Sequence, residues 1–206
     1  MRRTCGTSRV PPIVGLATLK LVLVPSLSII VPTVGRASLF VTLNALVNQL
    51  AAGDEVLVIG DGQQPFASIL CERFGVTYHT GPRTMRWGNA QRDFGIELAR
   101  GDYIAFCDDD DVFTFSALDA MRRQADGRPV LFRMHHPTGL LWRDREIRQG
   151  NVGTPMFLAP NDARLGTWAD SPDQYAADLW FISNTVSNHG GAVKWSEEIV
   201  CKCRTT

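Results

Sequence analysis

From Leu27 to Gln124 the chain alternates short β-branched runs with helical stretches, and few folds accommodate that rhythm. "LSIIVPT" (27–33) reads as a buried strand closed by Pro. "RASLFVTLNALVNQLA" follows, with Leu39, Phe40, Leu43, Leu46, Val47 and Leu50 at helical spacing and Gly53 as its stop. "EVLVIGDG" predicts a second strand, "FASILCERFG" a helix ending at Gly75, and "VTYH" a brief third strand. "GNAQRDFGIELARG" predicts a helix with Ala90, Phe94 and Leu98 four apart, "DYIAFC" a fourth strand, and "TFSALDAMRRQA" the helix after it. Strands and helices in this order imply an α/β fold: a single Rossmann-type domain with a mostly parallel sheet flanked by helices.

Beyond Gly127 the rhythm loosens. "PVLFRM", "GLLWR" and "GTPMFLAP" predict strands with short turns, so the C-terminal half carries a mixed sheet. "SPDQYAADLWFISNTVSN" predicts one helix with Tyr175, Leu179, Ile182 and Val186 on a stripe; "AVKW" and "EEIVCKC" predict two terminal strands. Between Val10 and Gly35 the only charge is Lys20, and "MRR" precedes the apolar run. Pro25 and Pro32 interrupt it, so a membrane span or signal is disfavoured. The expectation is an N-terminal extension over 1–25, poorly ordered or docked on the sheet or a membrane surface. The domain then runs over 26–206.

The 206 residues carry 21 basic and 21 acidic side chains, and this balance argues against nucleic acid as a partner. Lys occurs only at positions 20, 194 and 202; the remaining basic residues are Arg, which suits bidentate contact with phosphate and carboxylate. Cys5, Cys71, Cys107, Cys201 and Cys203 are odd in number and contain no C-x-x-C pair. They predict a reduced, cytoplasmic protein with inert thiols, membrane-associated at most.

In an open parallel sheet, ligands bind beyond the carboxyl ends of the strands. Three polar turns belong there: "PTVGR" after the first strand, "GDGQQ" after the second and "CDDDDVF" after the fourth. Four consecutive carboxylates, Asp108 to Asp111, repel one another unless cations lie among them. Hard divalent cations take one or two carboxylates and complete their shell with phosphate oxygens. The blander alternative is an acidic turn capping the next helix. An EF-hand loop is excluded, because Phe113 stands where that loop needs Gly. "GDGQQP" is no dinucleotide fingerprint, and no phosphate-binding P-loop occurs. Asp61 in its Gly-flanked turn can accept a hydrogen bond from a base or ribose, and one of Arg83, Arg86 and Arg92 can pair a diphosphate.

"LSIIVPTVGR", "EVLVIGDG" and "GNAQRDFGIELARGDYIAFCDDDDVF" together resemble the nucleotide-sugar-binding half of the family 2 glycosyltransferases, which have the GT-A fold. The resemblance runs from Leu27 to Phe113, with "GNVGTPMFLAPN" and "WSEEIV" compatible beyond it. It implies a nucleotide-sugar half over 26–113 and an acceptor half over 114–206. It also implies an inverting, metal-dependent transfer from a nucleoside-diphosphate sugar to an acceptor hydroxyl, with Mn²⁺ or Mg²⁺ as cofactor. Asp108 and Asp110 would form the D-x-D pair, Asp110 binding the metal and Asp108 lying near the ribose. Asp61 would face the base with Thr33 close by, and Arg92 matches the family's Arg before the acidic strand. Pro32, Gly35, Arg36 and Asp109 join these as donor contacts. Gly60 and Asp93 depart from the pattern, where a second Asp and an Asn are commoner.

The family also places a catalytic carboxylate at the start of a helix in the back half. Asp173 and Asp178 are the candidates, and on a helical wheel Asp178 sits at the rim of the packed stripe while Asp173 faces solvent. Asp178 is therefore the expected base. His189 is a candidate late metal ligand with a loop role as the alternative; His135 and His136 are expected as strand-end polar residues. Two other functions fit parts of the pattern. "DDDDV" matches the D-x-D-x-[TV] of haloacid-dehalogenase-like phosphohydrolases, which need a downstream Lys such as Lys194 or Lys202. A non-catalytic nucleotide-sugar-binding protein of the same fold is the third reading.

Overall fold

The computed structural model describes residues 24–85 and 87–204. The 1–25 extension lies almost entirely outside the described residues, as do Cys5 and Arg86. The β-branched runs form as expected: β1 (Leu27–Thr33), β2 (Glu55–Asp61), β3 (Thr77–Gly81) and β4 (Tyr103–Phe106). All four are parallel, in the order β3-β2-β1-β4. Helices α1 (Leu39–Val47), α2 (Pro65–Phe74) and α3 (Asn89–Leu98) make the crossovers. β1 and β4 are buried throughout, as strands covered on both faces must be. Parallel pairing brings Thr33 level with Gly60 and Ile30 level with Phe106. The polar turns after β1, β2 and β4 therefore share one edge of the sheet.

The second half extends this sheet with β5 (Asp111–Phe113), β6 (Val130–His136), β7 (Gly139–Leu141), β8 (Phe157–Pro160) and β9 (Lys194–Cys203). The full path is β3-β2-β1-β4-β8-β6-β9-β5, with β7 on β6, and β4–β8, β6–β8 and β5–β9 are antiparallel. The nine-stranded sheet is thus parallel at the front and mixed behind. Helix α4 (Ala117–Gln124) and helix α5 (Ala177–Asn188) complete the set.

Three sequence expectations change. α5 begins at Ala177, six residues after Ser171. Ser171 Oγ donates to the Asp173 carbonyl at 2.6 Å and the Tyr175 N–H donates to Asp173 Oδ1 at 2.9 Å. Such local side-chain bonds compete with helix formation, and Pro172 adds to the effect. Tyr175 consequently leaves the stripe and is 71% exposed, whereas Phe181, Ile182 and Val186 are buried. The two expected terminal strands are one ten-residue strand, since no Gly or Pro interrupts 194–203. β5 was not foreseen; its residues follow the acidic turn and pair with Cys201 to Cys203.

Candidate active site

The acidic turn is held by two arginines from different elements. Arg92 on α3, 3% exposed, pairs with Asp108 through Nη2, and its Nη1 donates to the Trp87 carbonyl at 2.8 Å. Arg36 on the turn after β1 donates from Nη1 to Asp109 Oδ1 at 2.7 Å and lies 3.3 Å from Asp110 Oδ2. Asp109 is almost wholly buried and also accepts from Thr33 Oγ1 at 2.6 Å and the Val34 N–H at 3.3 Å. The Gly35 N–H donates to Thr33 Oγ1 at 2.9 Å. These bonds lock the β1 and β4 turns together.

Loss of water raises the Asp108 carboxyl above its ordinary range; nearby Asp178 adds to the rise and Arg92 opposes it. Burial, reinforced by Asp108, pushes Asp111 up to about 7. Its carbonyl accepts from Thr42 Oγ1 at 2.7 Å, and its carboxylate faces Cys203 Sγ at 3.4 Å.

Asp61, 8% exposed, organises the loop before α3. The N–H groups of Thr84 and Met85 donate to its two oxygens at 2.6 and 2.8 Å, and Gln91 Nε2 donates to Oδ1 at 3.1 Å. Met85 and Trp87 take positive φ values of 52° and 54°, a conformation non-glycine residues hold only when their surroundings impose it. Gly88 follows at φ 77°, where a Cβ would meet Pro32 Cβ at 2.9 Å, so the residue must be Gly. Pro32, Thr33, Arg36, Asp61, Arg92, Asp108, Asp109 and Asp110 all line one cavity of about 430 Å³, with Trp87 and Gln91 in its wall. Gly35 lies in the adjoining turn. Among the described residues Thr84 Oγ1, Gln91 Oε1 and Arg92 Nε are buried without a hydrogen-bond partner. Gln91 and Arg92 line the cavity, and their unsatisfied polar atoms suit a polar ligand.

The back half contributes Asp178, on the first turn of α5. Its Oδ2 accepts from Thr154 Oγ1 at 2.6 Å and its Oδ1 from Trp168 Nε1 at 3.0 Å. Its charge is felt by both Arg92 and Asp108. Trp168 is fully buried, stacks on Phe181 at 3.7 Å and lies under the Arg92 guanidinium at 5.7 Å. Asp173 is exposed and occupied by its own turn. Trp87 and Tyr175, each 71% exposed, meet edge to face at 5.9 Å, and Asn89 Nδ2 donates to the Gln174 carbonyl at 2.9 Å. These contacts join the loop before α3 to the one before α5.

His189 is not brought to the acidic turn. Its Nδ1 faces the Thr185 carbonyl at 2.8 Å and its Nε2 lies 3.5 Å from Asp162, just beyond β8. Because β8 runs antiparallel to β4, that end of β8 adjoins the start of β4, opposite the acidic turn. Arg83 packs its stem over Gly62, in the turn after β2. Cys107 and Cys201 are buried and their thiols pushed well above the ordinary range by desolvation; Cys71 rises to about 11 for the same reason. Inert thiols are what the sequence predicted.

Gln91, Trp168, Thr154 and Arg204 were not legible as site residues. Gln91 follows Asn89 and Ala90 at the helix start and could have been suspected from its place opposite "GDG". Arg204, which donates from Nε to the Asp110 carbonyl at 2.8 Å and from Nη2 to the Ser38 carbonyl at 3.1 Å, left no signal.

Among the described residues no three His, Cys, Asp or Glu side chains gather as a protein-only metal cage. The donor set still suits a hard divalent cation of the phosphate-sharing kind. Asp110 keeps a partly open carboxylate, 24% exposed, beside Asp108, and both oxygens of such groups are hard donors.

The matching family model is Glycosyl transferase family 2, over residues 28–165, two thirds of the sequence. The chain belongs to this family. No curated protein matches it. Solved structures with the same fold include S. aureus TarS 1–349 in complex with UDP-GlcNAc, at TM-score 0.69 and 16% identity over 88% of this chain and 59% of that one. A longer TarS structure matches at TM-score 0.68 and 16% identity, over 87% of this chain and 37% of that one. Glucosyl-3-phosphoglycerate synthase from Mycobacterium tuberculosis, solved with Mn²⁺, UDP and glucosyl-3-phosphoglycerate, matches at TM-score 0.60 and 12% identity, over 88% of this chain and 73% of that one. The chain therefore spans about three fifths of the TarS fragment. These likenesses carry the fold, which is that of the GT-A glycosyltransferases.

Proposed function

We propose that this chain is the catalytic domain of an inverting, metal-dependent glycosyltransferase using a nucleoside-diphosphate sugar. The observation that carries the reading is one cavity holding Asp61, Arg92 and the acidic turn, with the Asp178 carboxylate close enough to act on Arg92 and Asp108. Neighbours solved in complex with UDP and UDP-GlcNAc support uracil as the base. Residues 26–113 would form the donor half and 114–206 the acceptor half. No helix among the described residues is long and apolar enough to cross a membrane.

Asp110, with Asp108 beside it, would hold Mn²⁺ or Mg²⁺, which supplies positive charge for the leaving diphosphate. Asp61 would orient the base through its ordered loop, and Arg92 would keep Asp108 ionised and aimed at the ribose. Asp178, steadied by Thr154 and Trp168, would take the proton of the acceptor hydroxyl. The acceptor oxygen would then bond to the anomeric carbon as the sugar–phosphate bond breaks on the opposite face, its electron pair leaving with the diphosphate. Configuration inverts in a single displacement.

A phosphohydrolase reading has less support, since Asp108 is committed to a buried Arg and Lys194 sits at the start of β9, bonded to the Gln124 carbonyl at 3.2 Å. A non-catalytic relative is separated from the transferase by turnover of donor. The test of the metal assignment is UDP titration with and without Mn²⁺. Wild type should bind more tightly with the ion, and Asp110→Asn should fold but lose that gain. Unchanged affinity and metal dependence in the variant would sink the D-x-D assignment.

A further inference from the structure

A second cavity, of about 390 Å³, opens at the ends of β6 and β9 and is lined by His135, His136, Pro137, Lys202, Cys203 and Arg204. Its lining contains no carboxylate. The parallel register of β6 and β9 sets His135 directly beside Lys202. Neither Lys202 nor Arg204 makes an ion pair among the described residues, and the His135 side chain makes no hydrogen bond among them. Arg128, Arg148 and Arg164, by contrast, each face an adjacent aspartate. A concave site with two cations that lack an ion-pair partner among the described residues concentrates positive potential.

The position of this cavity matters as much as its charge. Arg204 reaches from it to the Asp110 carbonyl at 2.8 Å, and Asp110 lines the donor cavity. β5, which continues the acidic turn, pairs with β9 at Cys203. The second cavity thus adjoins the acidic turn through Arg204 and the β5–β9 pairing.

We infer that this second cavity is the anion subsite of the acceptor, and that the acceptor carries a phosphate group near the hydroxyl that is glycosylated. A phosphate offers three strong acceptor oxygens and up to two charges to the Lys202, Arg204 and His135 donors, which a carboxylate cannot match. The inference rests on the glycosyltransferase reading for the word acceptor, but the site itself can be tested without it.

The test uses the whole protein saturated with UDP and Mn²⁺, so that the donor cavity is filled. Glycerol 3-phosphate is titrated while the imidazole resonances of His135 and His136 are followed by NMR. Saturable shifts are expected, with glycerol and lactate producing none. Lys202→Glu should weaken glycerol 3-phosphate about tenfold, the effect of reversing one charge near an anion in high dielectric. His135→Gln should weaken it less, and UDP affinity should stay unchanged in both, showing that they fold. Vesicles of phosphatidylcholine with phosphatidic acid form the second arm. Binding of vesicles alone assigns the phosphate to a lipid headgroup, and binding of glycerol 3-phosphate assigns it to a soluble or polymeric acceptor. No shift with either probe, equal shifts with lactate, or undiminished affinity in Lys202→Glu would overturn the proposal. Should wild type fail to bind UDP, the donor reading falls by itself, and the same titration without UDP still judges the second cavity.

Discussion

The two halves of the sheet solve different problems with the same material. In the front half, β1 to β4 run parallel and the buried carboxylates Asp61 and Asp109 at their shared edge are bonded to residues of neighbouring turns. Asp109 alone gathers Thr33, Val34 and Arg36. In the back half antiparallel pairs mix with the parallel β6–β9 pair, and functional groups arrive from separate segments: Thr154, Trp168 and Asp178. The front half is therefore a preorganised cradle whose geometry is set by the parallel ladder. The back half is an assembly in which one loop must be anchored before the carboxylate is placed. That contrast explains why the proposed donor site can be read from motifs whereas the proposed acceptor site depends on docking between loops.

The sharpest way to break the comparison is through Asp178. Asp178→Asn keeps the size of the side chain but removes the proton acceptor, and the transfer rate to the true acceptor should fall by roughly 10²–10⁴. UDP affinity should barely move, because the donor contacts belong to the front half. Asp173→Asn should leave the rate intact, since that carboxylate caps its own exposed turn. A dead Asp173→Asn beside a healthy Asp178→Asn would move the base to the loop.

Gly95 tests the rigidity of the front half. It lies inside α3, where a Cβ would come 2.6 Å from Ile30 Cγ2 on β1. Gly95→Ala gains helix propensity but overpacks this crossing, so a net loss of about 1–2 kcal/mol is expected in urea unfolding. A neutral result would show that α3 can ride up from the sheet, and the cradle would be softer than its hydrogen bonds imply.

Asp93 links the halves, accepting the N–H groups of Trp168 and Ala169 at 2.9 Å each. An Asn there can accept only one, so Asp93→Asn should cost about 1 kcal/mol. The same position gives a pH signature. Burial raises the Asp93 carboxyl in spite of those two N–H groups, so the folded state holds its proton more firmly than the unfolded chain. Stability contributed by this group is therefore fully present below the ordinary carboxylate range and is lost as pH rises through the raised value. Asp93→Asn should remove that part of the pH profile. A profile identical to wild type would mean that Asp93 titrates normally and that the loop is held by something else.

The donor half was largely legible because its chemistry is local. The turns after β1, β2 and β4 are contiguous segments, and strand direction alone carries them to one edge. Asp61, Asp108, Asp109 and Asp110 belong to these turns, Arg92 comes from the helix before the acidic strand, and all five line the same cavity. The back half was less legible. The start of α5 was placed too early, because a helical pattern cannot show that Ser171 and Asp173 will spend their side chains on a turn. His189 was grouped with the metal because a polar residue after a helix carries no label for which end of the sheet it reaches.

Patterning along the chain was enough to establish the alternation of elements, the parallel front of the sheet and the identity of the acidic turn. The periods of apolar residues and the punctuation by Gly and Pro are short-range properties. Folding decided the rest: that Arg92 and Arg36 divide three of the four carboxylates between them, that Asp178 is steadied by Trp168, and that Arg204 returns from the end of β9 to the acidic turn. Those pairings join residues 10 to 94 positions apart, and their partners are chosen by where packed strands and helices place them. No local propensity encodes that choice, because the energy that makes it is the burial of a core contributed by every element at once.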